Sequence, residues 1–144
     1  AQDRLIAECA LPLIADGRFD PPWVRDIAKS LGQPEALVRG VLSRLAKQGR
    51  VSAIVKDLYY DAGVVAELSA IALKQTAGNA TIRAAAFRDA TGLGRKRAIQ
   101  ILEFFDRIGF TRRLGDEHAI RNAELFSART DTAPPSRTLL QPQA

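Results

Sequence analysis

Methionine is missing from all 144 residues, cysteine and histidine occur once each, and aromatic side chains make up only 6%. Each scarcity closes off a class of protein. Cys9 has no partner for an intrachain disulfide, and with His118 as the single histidine the chain lacks the four Cys or His ligands that a structural zinc site usually takes. No stretch of about 18 apolar residues occurs, which excludes a membrane-spanning helix, and the N-terminus lacks the basic-then-apolar layout of a secretory signal. The missing methionine implies a piece of a longer polypeptide. No glycine-rich loop ending in Gly-Lys-Ser is present to cradle a phosphate. A Cys–His nucleophile would have to join Cys9 to His118 across distant elements, and nothing in their spacing suggests it. Neither catalysis, nor a cofactor, nor a metal is expected in this fragment. Cys9 reads as a small core residue on the apolar face of the first helix.

What is present suits a packed core: 47% of residues are hydrophobic and 26% charged. The net charge of +5 is unevenly placed. Residues 1–62 hold nine basic and eight acidic side chains, residues 63–122 hold ten and six, and residues 123–144 hold two and two. The excess sits in the middle segment and points to a polyanionic partner there.

The chain also repeats itself. Gly32 and Gly49 lie 17 positions apart, as do Gly92 and Gly109, and the second pair follows the first by 60 residues. At that offset Leu5 falls on Val65, Leu13 on Leu73, Ile27 on Phe87, Val38 on Ala98, Val41 on Ile101, Leu42 on Leu102 and Leu45 on Phe105. Within each copy, apolar residues at helical spacing predict a first helix (4–15, 64–77), ended near Gly17 or Gly78. A short second helix (23–30, 82–90) follows, the first of them opened by Pro21-Pro22, and Trp23 at its start reads as packing. A turn through Gly32 or Gly92 leads to a longer helix (34–48, 94–108), with Gly49 and Gly109 as left-handed caps. The period then falls to two. Val51–Val55 and Leu58–Tyr60 around Lys56-Asp57, and Phe110–Leu114 and His118–Ile120 around Gly115-Asp116, predict two hairpins. Of Tyr59 and Tyr60, one ring is expected inward and the other at the edge. The fold class is mainly α with small β-hairpins, as two tandem winged-helix domains, 1–62 and 63–122, followed by a flexible tail, 123–144.

The repeat supplies an internal control on function. Winged-helix and helix–turn–helix units project the start of the longer helix toward nucleic acid. That position reads Pro34-Glu35-Ala36-Leu37 in the first copy and Gly94-Arg95-Lys96-Arg97 in the second, a difference the fold does not require. With Ala98, Ile101, Leu102, Phe105 and Ile108 facing the core, Lys96, Gln100 and Arg107 fall on the opposite side, flanked by Arg95 and Arg97. Gly92 and Gly94 leave backbone N–H groups uncovered at a helix N-terminus, which suits a phosphate. Arg112 and Arg113 begin the adjacent hairpin, on opposite faces of the strand. Phe104 is expected at the seam with the hairpin or the neighbouring domain. The candidate nucleic-acid-binding residues are Gly92, Leu93, Gly94, Arg95, Lys96, Arg97, Gln100, Arg112 and Arg113.

The stretch Phe87–Arg113, and within it Gly94-Arg95-Lys96 through Phe105-Asp106-Arg107, closely resembles the C-terminal end of bacterial selenocysteine-specific elongation factors. Residues 1–122 look like the last two of that family's four winged-helix domains, the first copy matching mainly in architecture and order. The resemblance implies a cytoplasmic translation factor whose N-terminal GTPase part, absent here with its GTP and magnesium, carries selenocysteyl-tRNA to the ribosome. It implies that the last domain grips the selenocysteine insertion hairpin of selenoprotein mRNA, so that UGA is decoded as selenocysteine. Carried over, it suggests Arg95 and Lys96 as phosphate or loop contacts, with the Gly92–Gly94 turn close to the RNA. Arg97 departs from the family pattern, where a non-basic residue is common, and rests on charge alone. A monomer off the membrane is expected, with the first domain as spacer or accessory. An RNA hairpin also fits the size of the basic knob, since a deep A-form major groove directs contacts to loop nucleotides and backbone. The alternatives are a tandem winged-helix DNA-binding regulator and a protein-interaction scaffold.

Overall fold

Ile6, Ala10 and Ile14, spaced four apart, form the face that the first helix, α1 (Gln2–Gly17), buries. In the computed structural model, which describes residues 2–78 and 80–126, α1 is followed by α2 (Val24–Leu31), α3 (Glu35–Lys47), β1 (Val51–Val55) and β2 (Leu58–Asp61). Next come α4 (Ala62–Gln75), β3 (Thr81–Arg83), α5 (Ala84–Thr91), α6 (Arg95–Arg107), β4 (Thr111–Leu114) and β5 (Glu117–Ile120). The chain divides into two compact units between Val65 and Ala66, inside α4. Each unit runs helix, helix–turn–helix, hairpin, so the fold is two tandem winged-helix domains.

In the first unit the α1 stripe meets Val24, Ile27 and Ala28 of α2, Val38, Val41, Leu42 and Leu45 of α3, and Val51 and Tyr59 of the hairpin. Each Val, Leu or Ile among them, fully buried, stabilises the fold by roughly 1.5–3 kcal/mol. Leu5 and Cys9 do not join this core. Leu5 is 61% exposed and Cys9 is an exposed free thiol, contrary to the expectation for Cys9. At about 100° per residue both fall beyond the edge of the stripe that Ile6, Ala10 and Ile14 define. Tyr59 and Tyr60 are both buried, again against expectation, because the Tyr60 hydroxyl finds an acceptor in the Phe19 carbonyl and can turn inward satisfied.

The wing of this unit is clasped to its recognition helix at the tip. Arg39 of α3 donates Nε and a terminal nitrogen to the two carboxylate oxygens of Asp57, at 2.8 and 3.0 Å. The guanidinium hydrogen bond and charge hold the Asp57 carboxyl below its ordinary range. Val24 N–H also donates to the Asp57 carbonyl at 2.9 Å.

The second unit is built around rings. Phe105 of α6 lies 4.9 Å from Phe110, 5.8 Å from Phe104, 5.9 Å from Phe126 and 6.4 Å from Phe87, centroid to centroid, mostly edge-on. Phe104 is therefore buried, whereas Ile108, expected in the core, is 39% exposed. The helix ends at Arg107, and Gly109 (φ 83°) turns the chain away, so the wheel ceases to apply at Ile108. Most of the expected tail, 127–144, lies outside the described residues, but its opening does not: Phe126 is 4% exposed and part of the ring cluster.

Sheet content separates the units. β4 and β5 pair as expected, with Thr111 opposite Ile120, Arg112 opposite Ala119 and Arg113 opposite His118. An unexpected third strand, β3, pairs with β5 through Ile82 and His118, giving the order β3-β5-β4. Thr81 and Arg83 both bond the Glu117 carboxylate and lower its pKa. At the 60-residue offset, Thr81 and Ile82 correspond to Pro21 and Pro22. Proline has no N–H for a ladder, so the first unit keeps two strands. An irregular register between Ala53 and Val55 in β1 shortens the repeat offset to 59 across the hairpin, so that Tyr59 and His118 occupy equivalent places.

Two outcomes follow. Phe126→Ala lowers the stability of the second unit by about 3 kcal/mol in a urea melt. Arg39→Ala raises the Asp57 titration midpoint toward 3.8, followed by carboxyl NMR. The clasp's stabilisation is present above that ordinary value and is lost as pH falls through the lowered one, so the variant shows the weaker acid dependence.

Candidate nucleic-acid interface

α5 ends where Gly92 adopts φ 77°, a left-handed conformation that costs a side-chain-bearing residue about 1–2 kcal/mol. The Thr91 hydroxyl donates to the Phe87 carbonyl at 2.8 Å and accepts the Leu93 N–H at 3.3 Å, which stiffens the turn. Gly94 is then the N-cap of α6, in extended backbone with no side-chain cap, and its carbonyl receives the first helical bond, from Ala98. The first turn holds no acidic residue; it reads Arg95-Lys96-Arg97. In the first unit the equivalent turn carries Glu35.

Three cations at the positive end of a helix dipole are locally unfavourable, by a few tenths of a kcal/mol each when exposed. An anion on the same uncapped N–H groups reverses that balance. The helix gains nothing from this arrangement by itself.

Burial of Ala98, Ile101, Leu102, Phe104 and Phe105 sets the rotation of α6. Arg95, Lys96, Ile99, Gln100 and Glu103 consequently line one open depression, with Arg95 and Lys96 exposed and Gln100 half-buried. Arg97 is half-buried toward the Phe104 side and is already engaged within the chain. Gly92 and Gly94 are exposed and Leu93 is half-buried.

The two wing arginines separate. Arg113 donates Nε to the Gly115 carbonyl at 2.9 Å and brings a terminal nitrogen to 3.9 Å from Glu103 of α6, so it borders the recognition helix. Arg112, one residue earlier on the strand, takes the other face of the sheet with Ala119 and Thr81. Arg107 lies at the far end of α6, its guanidinium 5.7 Å from the Phe104 ring. The geometry thus brings together the Gly92–Gly94 turn, Arg95, Lys96, Gln100 and Arg113, and sets Arg112 apart.

The sequence reading missed Asp106 and His118 as partners. His118, 6% exposed, places Nδ1 3.0 and 3.1 Å from the two Asp106 carboxylate oxygens, and Thr111 donates its hydroxyl to Asp106 at 2.6 Å. A polar triplet standing among ring residues was the available signal. Among the described residues, no group of three or more His, Cys, Asp or Glu could hold a metal ion, and no helix is long and apolar enough to cross a membrane.

Fold and site together define a tandem winged-helix module with one strongly basic recognition helix. Residues 9–60 match the family described as selenocysteine-specific elongation factor, winged helix domain, and residues 74–120 match elongation factor SelB, winged helix. The selenocysteine-specific elongation factor of Escherichia coli (strain K12) is 47% identical over 127 residues, which are 87% of this chain and 20% of that protein. Its counterpart from Haemophilus influenzae is 31% identical over 104 residues, 72% of this chain and 17% of that one. A solved structure, the mRNA-binding domain of elongation factor SelB from E. coli in complex with SECIS RNA, superposes with a TM-score of 0.78 at 44% identity. It covers 84% of this chain and 98% of its own. The chain belongs to the family of selenocysteine-specific elongation factors, and matches its winged-helix region. It spans 20% or less of the length of these curated relatives.

A Cβ at Gly94 meets nothing within 4 Å, and its backbone is already that of an N-cap. Gly94→Asp is expected to raise the stability of the second unit by about 0.5 kcal/mol, measured by thermal denaturation, through capping and the helix dipole.

Proposed function

We propose that this chain is the RNA-binding C-terminal part of a selenocysteine-specific elongation factor, and that it anchors the factor to the selenocysteine insertion hairpin of a selenoprotein mRNA. The observation that carries this reading is the 44% identity, across nearly its whole length, to an mRNA-binding domain solved with its RNA hairpin. The same alignment falls on a unit whose recognition helix opens with Arg95 and Lys96 on uncapped backbone. The anchored factor promotes decoding of UGA as selenocysteine in the cytoplasm. Its GTPase activity, GTP, magnesium, selenocysteyl-tRNA and ribosome contacts belong to the parent protein.

Within the interface, the Gly92–Gly94 turn, with Leu93, sits against phosphate or loop nucleotides. Arg95 and Lys96 supply charge and Gln100 an adaptable hydrogen-bonding amide; Arg113 approaches from the wing. Arg97 lends charge from the flank, and Arg112 adds only long-range attraction from the far face of the sheet. The first unit is a spacer or accessory domain, because its clasped wing and acidic helix start present little to a polyanion.

Direct binding to a short RNA stem-loop with the layout of a selenocysteine insertion element tests the reading, beside a scrambled-loop RNA and an equal-length DNA duplex across a salt series. Loop-dependent RNA binding is expected; equal, salt-labile binding to all three sinks the proposal in favour of a generic polyanion surface. Arg95→Ala and Lys96→Ala should each weaken RNA binding and flatten the salt slope by about one unit while the thermal melt stays within about 0.5 kcal/mol of the parent.

A further inference from the structure

The two units solve one mechanical problem, how a hairpin is held against a recognition helix, in opposite ways. In the first unit, Ala46, Val51 and Tyr59 belong to one hydrophobic core, the Tyr59 phenol being the one polar group among them. The equivalent positions in the second unit are Asp106, Thr111 and His118, all of them polar. Thr111 is 1% and His118 6% exposed, and the Asp106 side chain is 19% exposed, so the replacement puts three hydrogen-bonding groups where the first unit packs a largely apolar set. Such a network is costly unless its hydrogen bonds are made, and replacing it with apolar residues is often neutral or stabilising. Stability alone does not account for it.

What the network supplies is direction. Apolar contacts tolerate sliding, whereas hydrogen bonds are directional, and the Asp106 carboxylate, in the last turn of α6, accepts from Thr111 at the start of β4 and from His118 in mid-β5. His118 lies directly opposite Arg113 in the ladder. The clasp is also inverted. Arg39, which ties the first wing's tip to its helix, corresponds to Ile99, which has no charge to offer Asp116. The first wing is fastened at its tip, across the helix face. The second is fastened chiefly at its base, with Arg113 approaching Glu103 at 3.9 Å nearer the tip, and the depression lined by Arg95, Lys96, Ile99, Gln100 and Glu103 stays open.

We infer that Asp106, through Thr111 and His118, is a positioning residue of the RNA interface: it sets the angle of the wing so that Arg113 meets RNA held on α6. The inference rests on the RNA-binding reading above. The test transplants the first unit's solution into the full chain, as the triple variant Asp106→Ala, Thr111→Val, His118→Tyr, with and without Arg113→Ala. The triple variant is expected to melt at or above the parent's temperature. It should bind the stem-loop about five- to tenfold more weakly, with a salt slope smaller by about one unit. Arg113→Ala should weaken the parent by a similar factor and the triple variant hardly at all, the signature of coupled residues in a double-mutant cycle. A folded triple variant that binds like the parent, or an Arg113→Ala effect equal in both backgrounds, overturns the inference.

Spin labels at Asp89→Cys and Asp116→Cys, in a Cys9→Ser background, report the wing angle without RNA. A broadened or shifted distance distribution in the triple variant supports the positioning role, and an unchanged one removes it. If the parent itself fails to bind the stem-loop, the RNA-binding reading falls, and the label distances alone decide whether the network positions the wing. Should the triple variant not fold, Thr111→Val alone, which deletes one of the two hydrogen bonds, is put through the same measurements and judged by the same outcomes.

Discussion

Phe105 is the side chain on which the second unit turns. A helix has one face to bury, and in α6 that face is Ala98, Ile101, Leu102 and Phe105, with Phe104 drawn in beside them. Phe105 meets rings from α5, from the segment before β4 and from the chain beyond β5. Contacts from several directions leave α6 no freedom to roll about its axis. Every statement about its outer face inherits that constraint: Arg95 and Lys96 face outward because the opposite stripe is committed. Phe126 belongs to the same argument, since it carries the core past the last strand.

The two units share a frame and differ in its use. Left-handed glycines close the helix–turn–helix at Gly32 and Gly92, and end the longer helix at Gly49 and Gly109. On that frame, Pro21 and Pro22 deny the first unit a third strand, while Thr81–Arg83 add one to the second. Arg39 and Asp57 neutralise each other on the first helix face. The corresponding face of the second unit keeps Arg95 and Lys96 beside an uncapped N-terminus, an electrostatic state that only an anion makes favourable.

Much of this was legible in the residues. The 60-residue repeat, the period change from helix to hairpin and the glycine positions specify the elements to within two or three residues, because local backbone chemistry suffices for turns and caps. The basic start of α6 was likewise visible, as a difference between copies. Three things were hidden. β3 is too short to show a period, and it exists because β5 offers it a partner. Cys9 lies one helical step outside a stripe whose width depends on what packs against it. Phe126 sits in a stretch whose composition reads as solvent-exposed, and only its fit among Phe105 and Phe110 buries it.

The sequence by itself determined two winged-helix units, a neutral one and a basic one, and the family to which they belong. Only the tertiary structure decided which basic residues share a surface. Arg112 and Arg113 are indistinguishable by charge and adjacent in sequence, yet the strand register sends one toward α6 and the other away. It also decided that Asp106, Thr111 and His118 form one network, from residues up to 12 positions apart. Hydrogen bonds between elements depend on where the hairpin closes and how the helix is rotated. Both are consequences of packing many side chains at once, which no single stretch of the chain encodes.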